Sequence, residues 1–116
     1  MEFNPMLPIY LQVVRAIEDE MLCGTLLGGD KLPSGRDLAL RYTINPNTAA
    51  RVYQELERKG LCYTRRGMGT FVTEDAAHVR RLREERARAL KEAYLAGMRA
   101  IGIAREEALQ WMEENT

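Results

Sequence analysis

Cysteine and histidine are scarce in these 116 residues: Cys23, Cys62 and His78 are the whole supply. No C-x-x-C pair occurs, which argues against a zinc knuckle or a dithiol redox motif. Both cysteines read as small buried hydrophobes of a reducing cytoplasm. His78 falls in a charged stretch and reads as solvated. No serine or cysteine stands at a nucleophile–base spacing, no His/Cys/Asp/Glu cluster has ligand spacing, and no glycine-rich phosphate loop is present. Enzymatic chemistry is therefore not expected, and neither is a metal or cofactor. No apolar run approaches the roughly 18 residues a membrane span needs, and no charged-then-apolar leader suggests export.

Net charge is also lacking, with 17 basic and 17 acidic side chains, but the charges are not evenly spread. Residues 1–29 carry −3, residues 30–73 carry +4 and residues 74–116 carry −1. The middle third is a basic island, and local charge governs contact with phosphates more than the total does.

That island contains the best-marked helix of the chain. Asn45 is a favourable N-cap, and Pro46 follows at a first helical position, where its missing N–H is no loss. Arg58, Lys59 and Gly60 supply the positive charge and the left-handed glycine that close a helix. At about 100° per residue, Ala49, Val52, Tyr53 and Leu56 share one face, and Asn47, Arg51, Gln54 and Arg58 share the opposite one. The second face holds the side-chain types that read base edges and neutralise phosphates.

On either side the chain gives this helix a setting. A first helix is expected over about 8–23, with Ile9, Val13, Ile17 and Met21 at helical spacing, Gly24 as its stop and Glu18, Asp19 and Glu20 outward. A loop over 26–32 with Gly28 and Gly29 is expected to carry a short extended segment. Ser34 and Asp37 have capping-box spacing, so a second helix is expected over about 35–42. Two short helices so closely joined make a helix-turn-helix. Beyond Gly60, residues 61–64 and 70–72 alternate as strands around the tip Arg65-Arg66-Gly67-Met68-Gly69, a hairpin placed to serve as a DNA-contacting wing.

Residues 74–116 read as a two-helix tail. A long charged helix is expected over about 76–100, its narrow apolar stripe marked by Val79, Leu82, Leu90, Ala93, Gly97 and Ile101, with Tyr94 beside it. A last helix over about 105–114 carries Leu109, Trp111 and Met112. So narrow a stripe on so long a helix needs a partner, and these large side chains are of the kind that anchor subunit interfaces.

The motifs Pro8-Ile9-Tyr10, Gly29-Asp30-Lys31-Leu32-Pro33-Ser34, Tyr53-Gln54-Glu55-Leu56-Glu57 and Arg65-Arg66-Gly67-Met68-Gly69-Thr70-Phe71-Val72 occur in this order. They resemble the winged-helix pattern of the GntR family of bacterial transcriptional regulators over about residues 7–73. Ile44-Asn45-Pro46-Asn47-Thr48 and the short tail resemble the YtrA-like subfamily, in which such a tail serves dimerisation. The resemblance implies DNA contacts at Arg36, Asn45, Asn47, Arg66 and Gly67. Pro46 stands where many relatives place a base-reading arginine, so their operator is not implied.

The expected fold is thus mostly α with a small β-wing. An N-terminal winged helix-turn-helix over 7–73 is followed by a two-helix dimerisation tail over 74–116. The expected function is a cytoplasmic, sequence-specific DNA-binding regulator, a repressor acting as a homodimer on a near-palindromic site in double-stranded DNA. Candidate DNA contacts are Arg36, Asn45, Asn47, Thr48, Arg51, Arg65, Arg66, Gly67, Gly69 and Thr70, with Lys31 and Arg41 as further phosphate candidates. Candidate interface residues are Leu82, Leu90, Tyr94, Leu109, Trp111 and Met112. The competing reading is a winged-helix module that binds protein, which predicts the same fold without salt-dependent DNA affinity. A tail of about 43 residues leaves little room for an enclosed effector pocket of several hundred Å³.

Overall fold

A computed structural model describes all residues, 1–116. Helices α1 (Ile9–Leu22), α2 (Gly35–Tyr42) and α3 (Pro46–Arg58) precede a hairpin of β1 (Cys62–Arg65) and β2 (Gly69–Val72), and α4 (Ala76–Ala100) and α5 (Arg105–Glu114) follow. The chain divides into two compact units, Met1–Arg80 and Arg81–Thr116.

In the first unit, α3 lies against both α1 and α2, and β1 packs beside it. Val13, Ile17 and Met21 of α1, Leu38 and Ala39 of α2, Ala49, Val52 and Leu56 of α3, Leu61 just before the hairpin and Val72 of β2 contribute to the core. Of the residues expected at helical spacing in α1, Val13, Ile17 and Met21 point inward, whereas Ile9, in the first turn, is 44 % exposed. Local chemistry sets the helix limits. Ser34 Oγ accepts from Asp37 N at 3.1 Å, and Asn45 Oδ1 accepts from Asn47 N at 2.7 Å.

Helices α2 and α3 end in the same hydrogen-bond pattern but with different residues. After α3, Gly60 at φ 72 takes the left-handed position, with Leu61 N donating to Leu56 O and Gly60 N to Glu57 O. After α2 the equivalent bonds run from Ile44 N to Ala39 O and from Thr43 N to Leu40 O, and Thr43 itself sits at φ 54, ψ 52. A β-branched residue in that region is unusual, and here it makes the sharp turn between the two helices.

The hairpin is antiparallel, with Cys62 opposite Val72 and Arg65 opposite Gly69. The expected extended segment before α2 pairs with the two-stranded hairpin through an isolated bridge: Lys31 lies opposite Phe71, and Leu32 N donates to Thr70 O at 2.8 Å. Gly28 lies so close to the chain after β2 that a Cβ there would sit 3.1 Å from Thr73 O.

Three expectations are corrected. Cys23, the C-cap of α1, is exposed rather than buried; hydrogen bonding with Thr25 holds its thiol below the usual value. Glu18 is not part of an outward acidic patch. It is 3 % exposed, and its carboxylate pairs with Lys59 at the end of α3, tying α1 to α3. His78 is half-buried rather than solvated, its Nε2 2.7 Å from the Lys59 carbonyl. A carbonyl only accepts, so that nitrogen carries the proton.

In the second unit, Leu95 is the only buried residue of α4 and Ala108 the only one of α5. Tyr94 Oη donates to Ala108 O at 2.8 Å. Gly102, at φ 86, turns the chain between the two helices. No helix is long and apolar enough to cross a membrane.

Candidate nucleic-acid interface

The outer face of α3 is the centre of the candidate site. Asn47, Arg51, Gln54 and Arg58 are all exposed, and Thr48 is half-buried. Their chemistry is not uniform. The Asn45 carbonyl oxygen is committed to the helix cap, so its free capacity is the side-chain NH₂, a donor to an acceptor on a base edge or to a phosphate. Asn47 spends only its backbone N–H on that cap. Its whole side-chain amide is available, as bidentate pairing with adenine requires.

Further along the stripe the arginines are held. The Arg51 guanidinium lies 3.9 Å from the centroid of the Tyr10 ring on α1, a cation–π contact that limits its rotamers before any ligand arrives. Tyr10 is a residue whose part sequence reasoning missed, since nothing local links positions 10 and 51. Arg58 hydrogen-bonds Glu55 through Nε at 3.1 Å; the pair raises the arginine's pKa and lowers the carboxylate's. Arg58 is thus partly neutralised, in keeping with its distance of about 16 Å along the helix from Asn47 at 1.5 Å per residue.

The other candidates flank this helix. Arg36 is exposed in the first turn of α2, and Arg41 is exposed in its last turn. Tyr53 Oη of α3 donates to the Pro33 carbonyl just before α2. Burial raises the phenol's pKa, so it stays a donor at neutral pH and fixes α3 against the start of α2.

At the hairpin tip, Met68 N donates to Arg65 O at 2.9 Å, and Gly67 sits at φ 77, the third turn position, where type II geometry needs positive φ. Arg66 is carried fully outward on that turn. Arg65 is exposed, its guanidinium 5.7 Å from the centroid of Tyr63, whose ring in turn stacks on Phe71. Gly69, at φ 124, lets Lys31 cross it: a Cβ there would lie 2.8 Å from Lys31 Cε. Thr70 is half-buried, with its hydroxyl 3.4 Å from that of Thr64. The hairpin carries Arg65 and Arg66, and Lys31 lies beside it, all three exposed.

A helix-turn-helix with an exposed polar stripe, followed at once by an arginine-tipped hairpin, defines a winged helix-turn-helix DNA-binding protein. Comparison with known proteins gives the particular family. The family described as bacterial regulatory proteins, gntR family, matches residues 9–72, and the chain belongs to it. The HTH-type transcriptional regulator YhcF of Bacillus subtilis (strain 168) is 40 % identical over 99 % of this chain and 95 % of its own. The HTH-type transcriptional repressor YtrA of the same organism is 34 % identical over 92 % of this chain and 83 % of its own. Among solved structures, a GntR family transcriptional regulator from Listeria monocytogenes superposes with a TM-score of 0.89 at 38 % identity, covering 98 % of this chain and all of the other. The DNA-binding domain of AraR in complex with operator ORX1 matches 63 % of this chain and 93 % of its own at 30 % identity, with a TM-score of 0.59. The chain is a YtrA-like GntR transcriptional regulator with a DNA-binding winged domain, a class that is not enzymatic.

Proposed function

We propose that this chain is a repressor that binds a near-palindromic operator as a homodimer in the cytoplasm. Residues 7–73 do the reading and residues 74–116 the pairing. The observation that carries the reading is the exposed Asn47 amide in the first turn of α3, flanked by the outward arginines of α2 and the wing. The N-terminal end of α3 enters the major groove. Asn47 and Asn45 meet base edges, Thr48 and Arg51 follow the groove, and Arg36 and Arg65 neutralise phosphates. Arg66, with Gly67, Gly69 and Thr70 shaping its support, enters the adjacent minor groove.

The pairing rests on the tail's uncovered apolar side chains. Leu90 is 68 % exposed, Trp111 51 %, Leu109 45 % and Met112 42 %, and Leu82 and Tyr94 are half-buried. A second copy that covers these residues places two recognition helices on two half-sites, which mirrors the two-fold symmetry of the pair. Repression accords with the name of the relative YtrA, and operator binding with the AraR complex.

The test is Asn47→Ala. Specific affinity falls by about 1–3 kcal/mol while non-specific affinity holds, because a base-edge contact carries the specificity. Fluorescence anisotropy on operator and scrambled duplexes measures both. Equal losses on the two DNAs reassign Asn47 to the backbone.

A further inference from the structure

An apolar groove opens beside the recognition helix and is not used by the reading above. Leu40, Thr43, Ile44 and Pro46 line it, with Ala39 at its floor and Arg36 at its edge. Leu40 is 72 % exposed, although it stands one helical turn from Arg36 on the same face of α2. Pro46 is exposed in the first turn of α3, between the two asparagines. Large apolar side chains at a surface built to meet a polyanion call for an apolar partner on that polyanion. In the major groove, B-DNA offers one such group, the 5-methyl of thymine.

We infer that the Leu40–Pro46 wall receives a thymine methyl group in each half-site and is a specificity determinant of this chain. The inference rests on the major-groove reading proposed above. The groove measures about 590 Å³, far more than a methyl fills, so the methyl lies against the wall formed by Leu40 and Pro46. The remaining space takes the sugar–phosphate chain that Arg36 draws in. The proline adds to this choice. It has no N–H to offer a phosphate or a base acceptor, so its outward face is carbon. The neighbouring Asn47 amide is suited to adenine. The half-site is therefore expected to hold a thymine methyl beside an adenine edge, an A·T-rich step.

The test uses the full chain and an operator obtained by selection from random duplex DNA. Each thymine is replaced in turn by deoxyuridine, which removes the methyl and keeps every hydrogen-bonding group. One position per half-site weakens binding by about fourfold, the value of one buried methyl group, and substitution in both half-sites by about fifteenfold. Leu40→Gln and, separately, Pro46→Ala then bind thymine and uracil operators with less than twofold difference, with melting temperatures recorded to show that each variant is folded. Two results overturn the proposal alone: no deoxyuridine position matters to the unaltered chain, or both folded variants keep the full discrimination. Failure of the selection to enrich any sequence overturns the major-groove reading and this proposal with it.

Discussion

Replacing Thr43 should make this protein more stable, although Thr43 sits in the middle of its DNA-reading motif. The residue occupies φ 54, ψ 52 at the end of α2, where a Cβ approaches the carbonyl oxygen and a non-glycine residue costs roughly 1–2 kcal/mol. Its side chain is exposed and makes no hydrogen bond, so little is lost with it. Asparagine tolerates this region because its short side chain bonds locally. Thr43→Asn is expected to gain about 1 kcal/mol, or roughly 4 °C in melting temperature for a chain of this size. Thr43→Gly gains less, since glycine also loosens the unfolded chain by about 0.4–1 kcal/mol. Thr43→Val keeps the branched Cβ and gains nothing. Thermal unfolding followed by far-UV circular dichroism, without DNA, ranks the four proteins. If Thr43→Asn melts at or below the temperature of the unaltered chain, the left-handed turn is not a strained site.

Two other outcomes follow from named side chains. Arg66→Ala should lower operator affinity, and the loss should shrink when the A·T pairs facing the wing are exchanged for G·C, because a narrow minor groove strengthens the attraction for arginine; a deficit indifferent to the exchange, read by anisotropy, makes Arg66 a plain phosphate contact. Burial pushes the Cys62 thiol up to about 12, so the unfolded chain loses this proton first. Stability from this group is complete below about pH 9 and falls by about 1.4 kcal/mol per pH unit as pH rises toward 12. Urea titrations at pH 8.5 and 10 in a Cys23→Ser background measure that slope, and Cys62→Ala should abolish it; a slope that survives belongs to other groups.

What the sequence reveals here depends on how far apart the interacting residues are. The limits of α3 are legible because Asn45, Pro46 and Gly60 act within a few residues of themselves, and the outward stripe of Asn47, Arg51, Gln54 and Arg58 follows from one angle per residue. Glu18 is different. It lies beside Asp19 and Glu20 in the chain, and local reading groups the three, yet its partner Lys59 is 41 residues away. His78 is held by a backbone carbonyl, a partner that carries no signature in the sequence. Tyr10 and Arg51 meet because α1 crosses α3, a geometry no periodicity encodes. In the tail, reading by size singles out Trp111, whereas close approach between helices favours small residues, and the side chain buried in α5 is Ala108.

In the proposed function, two copies of this chain, joined through the tail, read two half-sites of one duplex. Titration of the full chain against a near-palindromic operator and against a single half-site, each at 50 and 200 mM salt, tests it most directly. The operator is expected to bind on the order of 10²–10⁴-fold more tightly than the half-site, because the second contact becomes intramolecular. Operator affinity is expected to fall roughly 100-fold or more over that salt range, as the neutralisation of four or more phosphates requires. Equal affinity for the two DNAs, or binding indifferent to salt, contradicts it.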